Sequence, residues 1–339
     1  MSNKITELRN REKDTATKYY KFDYNDSNQK PLPRPDYIIK HNDLNTTEWL
    51  KGIDGSKKIH SISIPGTHDS GARFRGPFSR CQHLSILEQL INGVRYLDIR
   101  CRHINNCFMI HHTRKFQYLG FGGGVLDVCI SFLREHPSEF IFMQVKEEYN
   151  ALDNTRSFFE TMKDYIEGLE DYFFFDEISP TLDQVRGKIV LLRRFSSPVT
   201  PFGNELKFGS ETFTSNTTIT ARVQDAYQVK SLFHRQLKWE RFLNLMEEVK
   251  QNSDEDKLFI NFGSGSTTFC YPYSTAEYMI PRIADYLKNT NPDSFVGVIM
   301  FDYITTYYEN AIYYLLKRNF KQQESSSNEN LRNEALSTE

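Results

Sequence analysis

Polar side chains that could carry out acid–base and phosphate chemistry end several apolar runs of this 339-residue sequence. Two imidazoles can act as base and acid, two carboxylates can orient them, and arginine and lysine can stabilise the negative charge that develops on a phosphoryl group. Together these residues predict metal-free phosphoryl transfer, although a single histidine at a strand end is more often a packing residue. The set consists of His68-Asp69, Arg100, His111-His112, Lys146, Arg194 and Asp302.

His68 comes a few residues after an apolar run that ends at Ile64. The alternation of apolar residues predicts a strand over 60–64, and Pro65-Gly66 predicts its end. Loops that follow strands are where α/β enzymes hold catalytic groups. We therefore expect His68 to lie in a catalytic loop.

Short β-rich runs alternate with segments of helical period through the middle of the chain. The predicted strands are 60–64, 95–99, 107–110, 140–145, 188–192, 258–261 and 295–300, and the predicted helices are 85–91, 125–135, 155–169 and 238–250. This alternation indicates a parallel sheet, and the number of units favours a closed βα barrel over a doubly wound sheet. We expect an α/β fold, namely one distorted (β/α)8 TIM-type barrel whose strand ends bring the polar residues together.

The two ends of the chain differ in composition from the middle. Residues 1–36 are polar and include a proline-rich run at 29–35, which predicts a disordered extension and linker. Residues 321–339, rich in Ser, Asn and Glu, predict a disordered tail. The catalytic barrel is therefore expected over 37–320, with flexible extensions on both sides.

Charge and cysteine usage exclude several classes of protein. A net charge of -2 gives no general field that would attract nucleic acid. No apolar run is long enough to span a bilayer, and the first residues lack a secretory signal. The five cysteines form no CxxC pair, which favours reduced thiols over a disulfide framework or a zinc site. We expect a cytoplasmic protein with peripheral membrane association, and secretion stays an open alternative.

The chain resembles the bacterial-type phosphatidylinositol-specific phospholipases C, compact relatives of the X region of larger phospholipases C. The similarity runs in order from about Ser61 to Ile304. It rests on Pro65–Gly71, Gly93–Arg100, Ile110–His112, His136–Glu139, Lys146–Tyr149, Arg186–Phe195, Val223–Tyr227, Ile260–Phe262 and Val298–Tyr303.

In that family the inositol 2-hydroxyl attacks its own phosphodiester, which gives diacylglycerol and a cyclic inositol phosphate. The resemblance implies that His68 is the general base, supported by Asp302, and that His112 is the general acid, paired with Asp69. It also implies that Arg100 binds the phosphate, in a place where some relatives hold calcium, so no metal or cofactor is expected. His111 should be structural, because neighbouring side chains of a strand face opposite sides.

The resemblance further implies an inositol pocket and a membrane-binding rim. Ring hydroxyls would be held by Lys146, Arg194, Asp225 and Tyr227. Membrane contact is expected from aromatic residues in the loops at the barrel mouth, because aromatic rings favour the headgroup interface. These candidates are Phe74, Phe78, Phe269, Tyr271 and Tyr273. We expect a monomer that meets phosphatidylinositol transiently at the membrane.

The sequence leaves two other functions open. One is a metal-dependent glycerophosphodiester phosphodiesterase, which would need clustered carboxylates where only Asp98 adjoins Arg100. The other is a noncatalytic inositol-lipid binding protein. Within the preferred function, the sequence does not choose between free phosphatidylinositol and a glycosylphosphatidylinositol anchor. Inositides phosphorylated on the ring are expected to be poor substrates if the pocket lacks further basic residues.

Overall fold

A curled sheet of mostly parallel strands forms the centre of the molecule in the computed structural model, which describes residues 3–26, 43–176, 179–209, 213–216, 220–252, 256–304 and 310–320. The strands are β1 Ile64–Thr67, β2 Tyr96–Ile104, β3 Cys107–His112, β4 Lys115–Gly120, β5 Ile141–Glu147, β6 Phe173–Phe174, β7 Ile189–Arg194, β8 Asn204–Glu205, β9 Phe213–Asn216, β10 Thr220–Gln224, β11 Leu258–Phe262 and β12 Val298–Phe301. The helices are α1 Asn3–Tyr20, α2 Ile86–Ile91, α3 Asp127–Glu135, α4 Phe158–Ile166, α5 Leu182–Val185, α6 Arg235–Gln251, α7 Pro272–Asn289 and α8 Asn310–Lys317.

The order of the strands is that of a barrel with one open seam. The sheet runs β6-β7-β5-β2-β1-β12-β11-β10-β9, and every pair from β6 to β10 is parallel. The hairpin β3-β4 extends antiparallel from β2, and β8 pairs with β7. Within the described ranges no ladder joins β9 to β6 or β8, so the seam lies there. The prediction of a distorted α/β barrel is confirmed.

The strand that precedes His68 differs from the prediction. Residues 59–61 form a 3-10 turn, and β1 comprises Ile64–Thr67, so Pro65 and Gly66 lie inside the strand. Glycine suits this position, because a side chain at Gly66 would meet the sulfur of Met300 and lie 3.0 Å from the Cβ of Tyr96 on the neighbouring strand β2. His68 therefore follows β1 directly, and its amide donates to the carbonyl of Phe301 at 3.0 Å.

The N-terminal segment is not the disordered extension that its polar composition predicts. Residues Asn3–Tyr20 form α1, which packs against the hairpin β3-β4 and α4. Ile5 and Leu8 on this helix are buried, and Glu12 on the same face accepts hydrogen bonds from Gly122 N (2.6 Å) and the Tyr165 hydroxyl (2.7 Å). The apolar stripe of α1 is narrow, and the buried face of the helix also includes the carboxyl group of Glu12. The average polarity of the segment therefore does not reveal its buried face. The proline-rich run and the tail 321–339 lie outside the described residues.

The predicted helices are present with shifted ends, and reciprocal caps begin two of them. Ser85 and Glu88 cap α2, and Ser157 and Glu160 cap α4, which satisfies backbone donors that have no partner within the helix. The long helix α7 was not predicted. Among the described residues no helix has both the length and the apolar character needed to cross a membrane.

A fully buried ion pair lies near the amino-terminal ends of β2 and β5. Arg95 donates from Nε (2.9 Å) and a terminal nitrogen (2.7 Å) to Glu139, and it also donates to the carbonyls of Thr47, Leu90 and Val94. Both side chains have no exposed surface. The pair ties the strand starts together, at the end of the barrel opposite to the polar strand ends.

Candidate active site

The carboxyl ends of the parallel strands bring most of the predicted residues to one face. Arg100, Lys146 and Arg194 are direct partners in register across β2, β5 and β7. His68 follows β1 and Asp302 follows β12, the neighbouring strand. The hairpin β3-β4 brings His112 to the same face.

His68 and Asp302 form a close pair. His68 Nδ1 lies 2.9 Å from Asp302 Oδ1, and the Asp302 side chain is 1% exposed. Burial by itself would lower the pKa of His68, but the Asp302 carboxylate outweighs burial and leaves the pKa raised. Gln82 Nε2 donates to the carbonyls of His68 (2.8 Å) and Phe301 (3.0 Å), which locks the two strand ends together. With Nδ1 donating to Asp302, Nε2 of His68 is left as the proton acceptor.

His112 and Asp69 form a looser pair. His112 Nε2 lies 3.8 Å from Asp69 Oδ2, beyond hydrogen-bond distance. Burial raises the pKa of Asp69 to about 7, while burial and then the positive charges of Arg100 and His68 lower the pKa of His112 to about 3. Among the described residues neither Asp69 carboxylate oxygen has a hydrogen-bond partner. Burial thus disfavours the charged form of both side chains, and Arg100 and His68 further disfavour the charged form of His112.

Arg100 lies beside the second pair and is fixed by Asp98. Its Nε (3.1 Å) and a terminal nitrogen (3.0 Å) donate to Asp98 Oδ2, and another terminal nitrogen lies 3.6 Å from Asp69. Asp98 also accepts from the Asp69 amide (3.0 Å) and Gln144 Nε2 (2.5 Å). Burial would raise the pKa of Asp98, but Arg100 and His68 hold it well below its ordinary value. A guanidinium fixed in this way suits the bidentate binding of a phosphate.

The predicted inositol-binding residues lie at the same barrel mouth. Lys146 Nζ donates to Glu148 at 2.7 Å. The Arg194 guanidinium stacks 3.8 Å above the centre of the Phe208 ring. Asp225 follows β10, and burial raises its pKa against the opposing charges of Lys238, His68, Arg100 and Arg194. The Tyr227 side chain is 43% exposed, as an aromatic platform for a ligand would be.

His111 faces away from His112, as the strand geometry predicts. It is buried, and its Nε2 lies 2.8 Å from the Tyr20 hydroxyl at the end of α1. The stacking of Tyr20 on Phe116 of β4, at 4.2 Å, completes this contact. The N-terminal helix therefore supports the hairpin that carries His112.

Four residues of the site were not among the sequence candidates. Asp98 could have been found, because residues i and i+2 of a strand share a face and Arg100 is two positions away. Glu148, next to the end of β5, bonds to both Lys146 and the Thr113 amide. No local signal marks Cys81 or Lys238, since both reach the site only through the tertiary fold.

Two groups of side chains have the spacing of metal ligands. Cys81 Sγ lies within 4.8 Å of atoms of His68 and Asp302, and it forms a second such group with Asp69 and His112. Burial and the neighbouring carboxylates raise the pKa of the Cys81 thiol well above its ordinary value, which disfavours the thiolate that a metal requires. The two sets also contain the paired histidines and carboxylates, so the arrangement suits proton transfer better than metal binding.

Exposed aromatic side chains lie in the segments of chain that follow β1 and β11. Phe269 is 79% exposed, and Phe78 is 51% exposed and contacts Tyr271 with ring centres 4.5 Å apart. Phe74 instead packs against Tyr118 and is only partly exposed. Tyr273 likewise packs against Tyr303. The most exposed aromatic residue of the described chain, Phe233 at 92%, precedes α6 and was not predicted.

Comparison with known proteins points to one family. Residues 60–195 match the model of the phosphatidylinositol-specific phospholipase C X domain. The 1-phosphatidylinositol phosphodiesterase of Staphylococcus aureus (strain Newman) is 28% identical over 278 residues, 75% of this chain and 87% of that protein. That of Listeria monocytogenes is 28% identical over 279 residues, 77% of this chain and 82% of that protein.

Solved structures agree with the sequence matches. A phosphatidylinositol-specific phospholipase C structure from Staphylococcus aureus superposes with a TM-score of 0.74 at 26% identity, covering 81% of this chain and 98% of that chain. The Listeria monocytogenes enzyme gives a TM-score of 0.67 at 26% identity, covering 82% and 100%. With its barrel, its paired histidines and carboxylates, and these matches, the chain is similar to the bacterial phosphatidylinositol-specific phospholipases C, and residues 60–195 match the X domain of that family.

Proposed function

We propose that this protein cleaves phosphatidylinositol by attack of the inositol 2-hydroxyl on the phosphorus, which gives diacylglycerol and inositol 1,2-cyclic phosphate. One observation carries the proposal. Two histidine–carboxylate pairs, His68 with Asp302 and His112 with Asp69, lie on one barrel face with Arg100 beside them. The 1-phosphatidylinositol phosphodiesterases that the chain resembles support the choice of substrate.

His68 acts as the general base. Its Nε2 takes the proton of the 2-hydroxyl as the new oxygen–phosphorus bond forms, and Asp302 stabilises the imidazolium that results. Because the nucleophile is part of the substrate, no water has to be positioned, and the ring geometry provides a large effective molarity. The buried position of Asp302 strengthens its interaction with the imidazolium.

His112 acts as the general acid. It gives its proton to the diacylglycerol oxygen as the phosphorus–oxygen bond to that group breaks, so the proton lost by the 2-hydroxyl is matched by one delivered to the leaving group. A bound phosphodiester favours the protonated imidazole that this step requires, because its negative charge offsets Arg100. Closing the 3.8 Å gap between His112 and Asp69 would then stabilise the charged imidazole.

Arg100 binds the phosphate oxygens and stabilises the charge that builds up on them. Asp98 binds one edge of the Arg100 guanidinium, which leaves the remaining N–H donors of the guanidinium for the substrate. This fixed cation does the work that a metal ion would otherwise do. We therefore expect turnover to continue in excess chelator, and a loss restored by calcium would favour the metal-dependent alternative.

Lys146, Arg194, Asp225 and Tyr227 would hold the inositol ring. Charged groups of both signs can bind hydroxyls as donors and acceptors, and the exposed Tyr227 ring can lie beneath the sugar. A carbohydrate site built in this way selects a ring with hydroxyls in fixed directions.

Membrane contact is proposed for two groups of exposed aromatic residues. The first group comprises Phe78, Phe269 and Tyr271, and the second is Phe233 alone. Aromatic rings at a rim partition into the lipid interface. Sedimentation with phosphatidylcholine vesicles that contain phosphatidylinositol tests the second group, because Phe233→Ser should weaken binding. Leu87→Ser on α2, at 45% exposure, is a matched control that should bind as the wild type does. A cytoplasmic location stays a prediction.

Phosphorus NMR of the products formed from phosphatidylinositol in chelator tests the function. The wild type should produce the cyclic phosphate, and His68→Ala should reduce its formation by at least about a hundredfold, because general-base catalysis contributes that much or more. Binding of phosphatidylinositol without any cyclic product would instead favour the noncatalytic alternative.

A further inference from the structure

A cavity of about 310 Å³ lies between the loop after β10 and the first turns of α6. We call it the basic pocket, because none of its lining residues is acidic, three are cationic, Lys230, Lys238 and Arg241, and His234 adds an imidazole. Such a concentration of positive charge around one concavity is expected to attract a small, highly charged anion.

Lys238 forms the base of the basic pocket. Its side chain is 2% exposed, and its ammonium donates to Gln224 Oε1 at 3.1 Å. An ammonium has three N–H donors, and a buried charge is costly unless it is paired and fully hydrogen-bonded. Burial lowers the pKa of Lys238 to about 8, against the opposing influence of Asp225 and Asp302. An anion in the pocket would pair with this charge and favour it.

The basic pocket adjoins the proposed inositol site. Ala226, which lines the pocket, lies between Asp225 and Tyr227 in the chain. Asp225 interacts electrostatically with Lys238 of the pocket and also with His68 and Arg100 of the active site. A ring held over Tyr227 would therefore have this cavity beside it.

We infer that the basic pocket binds a phosphate monoester through Lys230, His234 and Lys238. The inference rests on the proposed function, since it assumes that the neighbouring site binds the inositol ring. The phosphate could be a substituent on the inositol ring of the substrate, or the headgroup of a second lipid such as phosphatidate in the same membrane. The first source reverses the expectation that ring-phosphorylated inositides are poor substrates, because the extra basic residues are present.

The first experiment compares kcat/KM for phosphatidylinositol monophosphates, with the phosphate at ring position 3, 4 or 5, with kcat/KM for phosphatidylinositol in mixed micelles. Lys230→Ala/His234→Ala should lower this ratio at least about tenfold for one isomer, because two charge-assisted hydrogen bonds are lost. Both residues are exposed, so the variant should fold. Lys288→Ala, exposed near the far end of α7, is the control and should leave the ratio unchanged.

The second experiment needs no turnover, so it stays informative if the proposed function fails. Binding to phosphatidylcholine vesicles with and without phosphatidate, but free of phosphatidylinositol, is measured for the same variants. A lower kinetic ratio in the double variant assigns the pocket to a ring phosphate, and a selective loss of phosphatidate-dependent binding assigns it to a neighbouring lipid. If the double variant matches Lys288→Ala in both measurements, the inference is overturned.

Discussion

The substitution Asp302→Asn tests whether the negative charge of Asp302, rather than the size of its side chain, is what supports His68. The substitution keeps the size of the side chain but removes the charge that lies 2.9 Å from His68 Nδ1. Coulomb's law at an effective dielectric constant of about 20 gives about 6 kcal/mol for a unit-charge pair at this distance. Desolvation of the buried pair offsets part of that energy. We therefore expect kcat/KM for phosphatidylinositol to fall by about 10²- to 10⁴-fold.

The pH profile distinguishes this explanation from general damage to the site. His68 must be unprotonated to act as a base, so its pKa sets the acid limb of kcat/KM. Asp302 raises that pKa in the wild type, and its removal should move the acid limb to lower pH. A merely misfolded site would lose activity without moving the limb.

Asp293→Asn provides the matched control. Asp293 is exposed in the loop before β12, so the same chemical change is made at the opposite end of the same strand. Its kcat/KM should stay within about twofold of the wild type, as is usual for surface substitutions. The reasoning about His68 is refuted if Asp302→Asn retains more than about a tenth of wild-type kcat/KM, or if its acid limb does not move.

Three further predictions concern other parts of the molecule. Arg100→Lys should lower kcat/KM by about 10²- to 10³-fold with little change in circular dichroism, because a lysine cannot reproduce the fork held by Asp98, and near-wild-type activity would contradict this role. Glu139→Gln should lower the free energy of unfolding in urea by about 3 to 5 kcal/mol, because it leaves Arg95 buried without its counter-charge, and a loss below about 1 kcal/mol would show that the pair contributes little. Burial raises the pKa of Glu12 in the folded protein to about 7, so the ionisation of Glu12 opposes folding, and the free energy of unfolding should fall by up to about 3 kcal/mol as pH rises from about 4.5 to 7. Urea titrations at several pH values should show a flatter dependence on pH for Glu12→Gln. An unchanged dependence would count against the buried carboxyl.

Features that depend on local pattern were predictable from the sequence. The caps at Ser85 and Ser157 mark helix starts, and the apolar runs locate most of the barrel strands. Helix α1 was missed because its buried face includes Glu12, so polarity suggested a solvated segment. The bounds of β1 were misplaced because Pro65-Gly66 usually ends a strand, whereas here the close packing of Met300 and Tyr96 against the strand favours a glycine inside it.

The buried cation of the basic pocket shows a different limit. Lys238 reads as a surface residue of an amphipathic helix, yet it is buried beneath the loop that carries Asp225. Nothing in its neighbours along the chain indicates this, because burial depends on how α6 packs against β10. The same holds for Cys81, whose position between the two histidine–carboxylate pairs follows from a loop that turns back toward the site.

The sequence by itself indicated which chemical groups come after the apolar runs of the barrel, because short apolar runs between turn signals favour buried strands. Tertiary structure decided which of them are partners. Asp69 adjoins His68 in sequence but faces His112, whereas Asp302, 234 positions away, lies 2.9 Å from His68. The reason is the barrel itself: β1 and β12 are neighbouring parallel strands, so their last residues meet, while adjacent residues in the turn after β1 point in different directions.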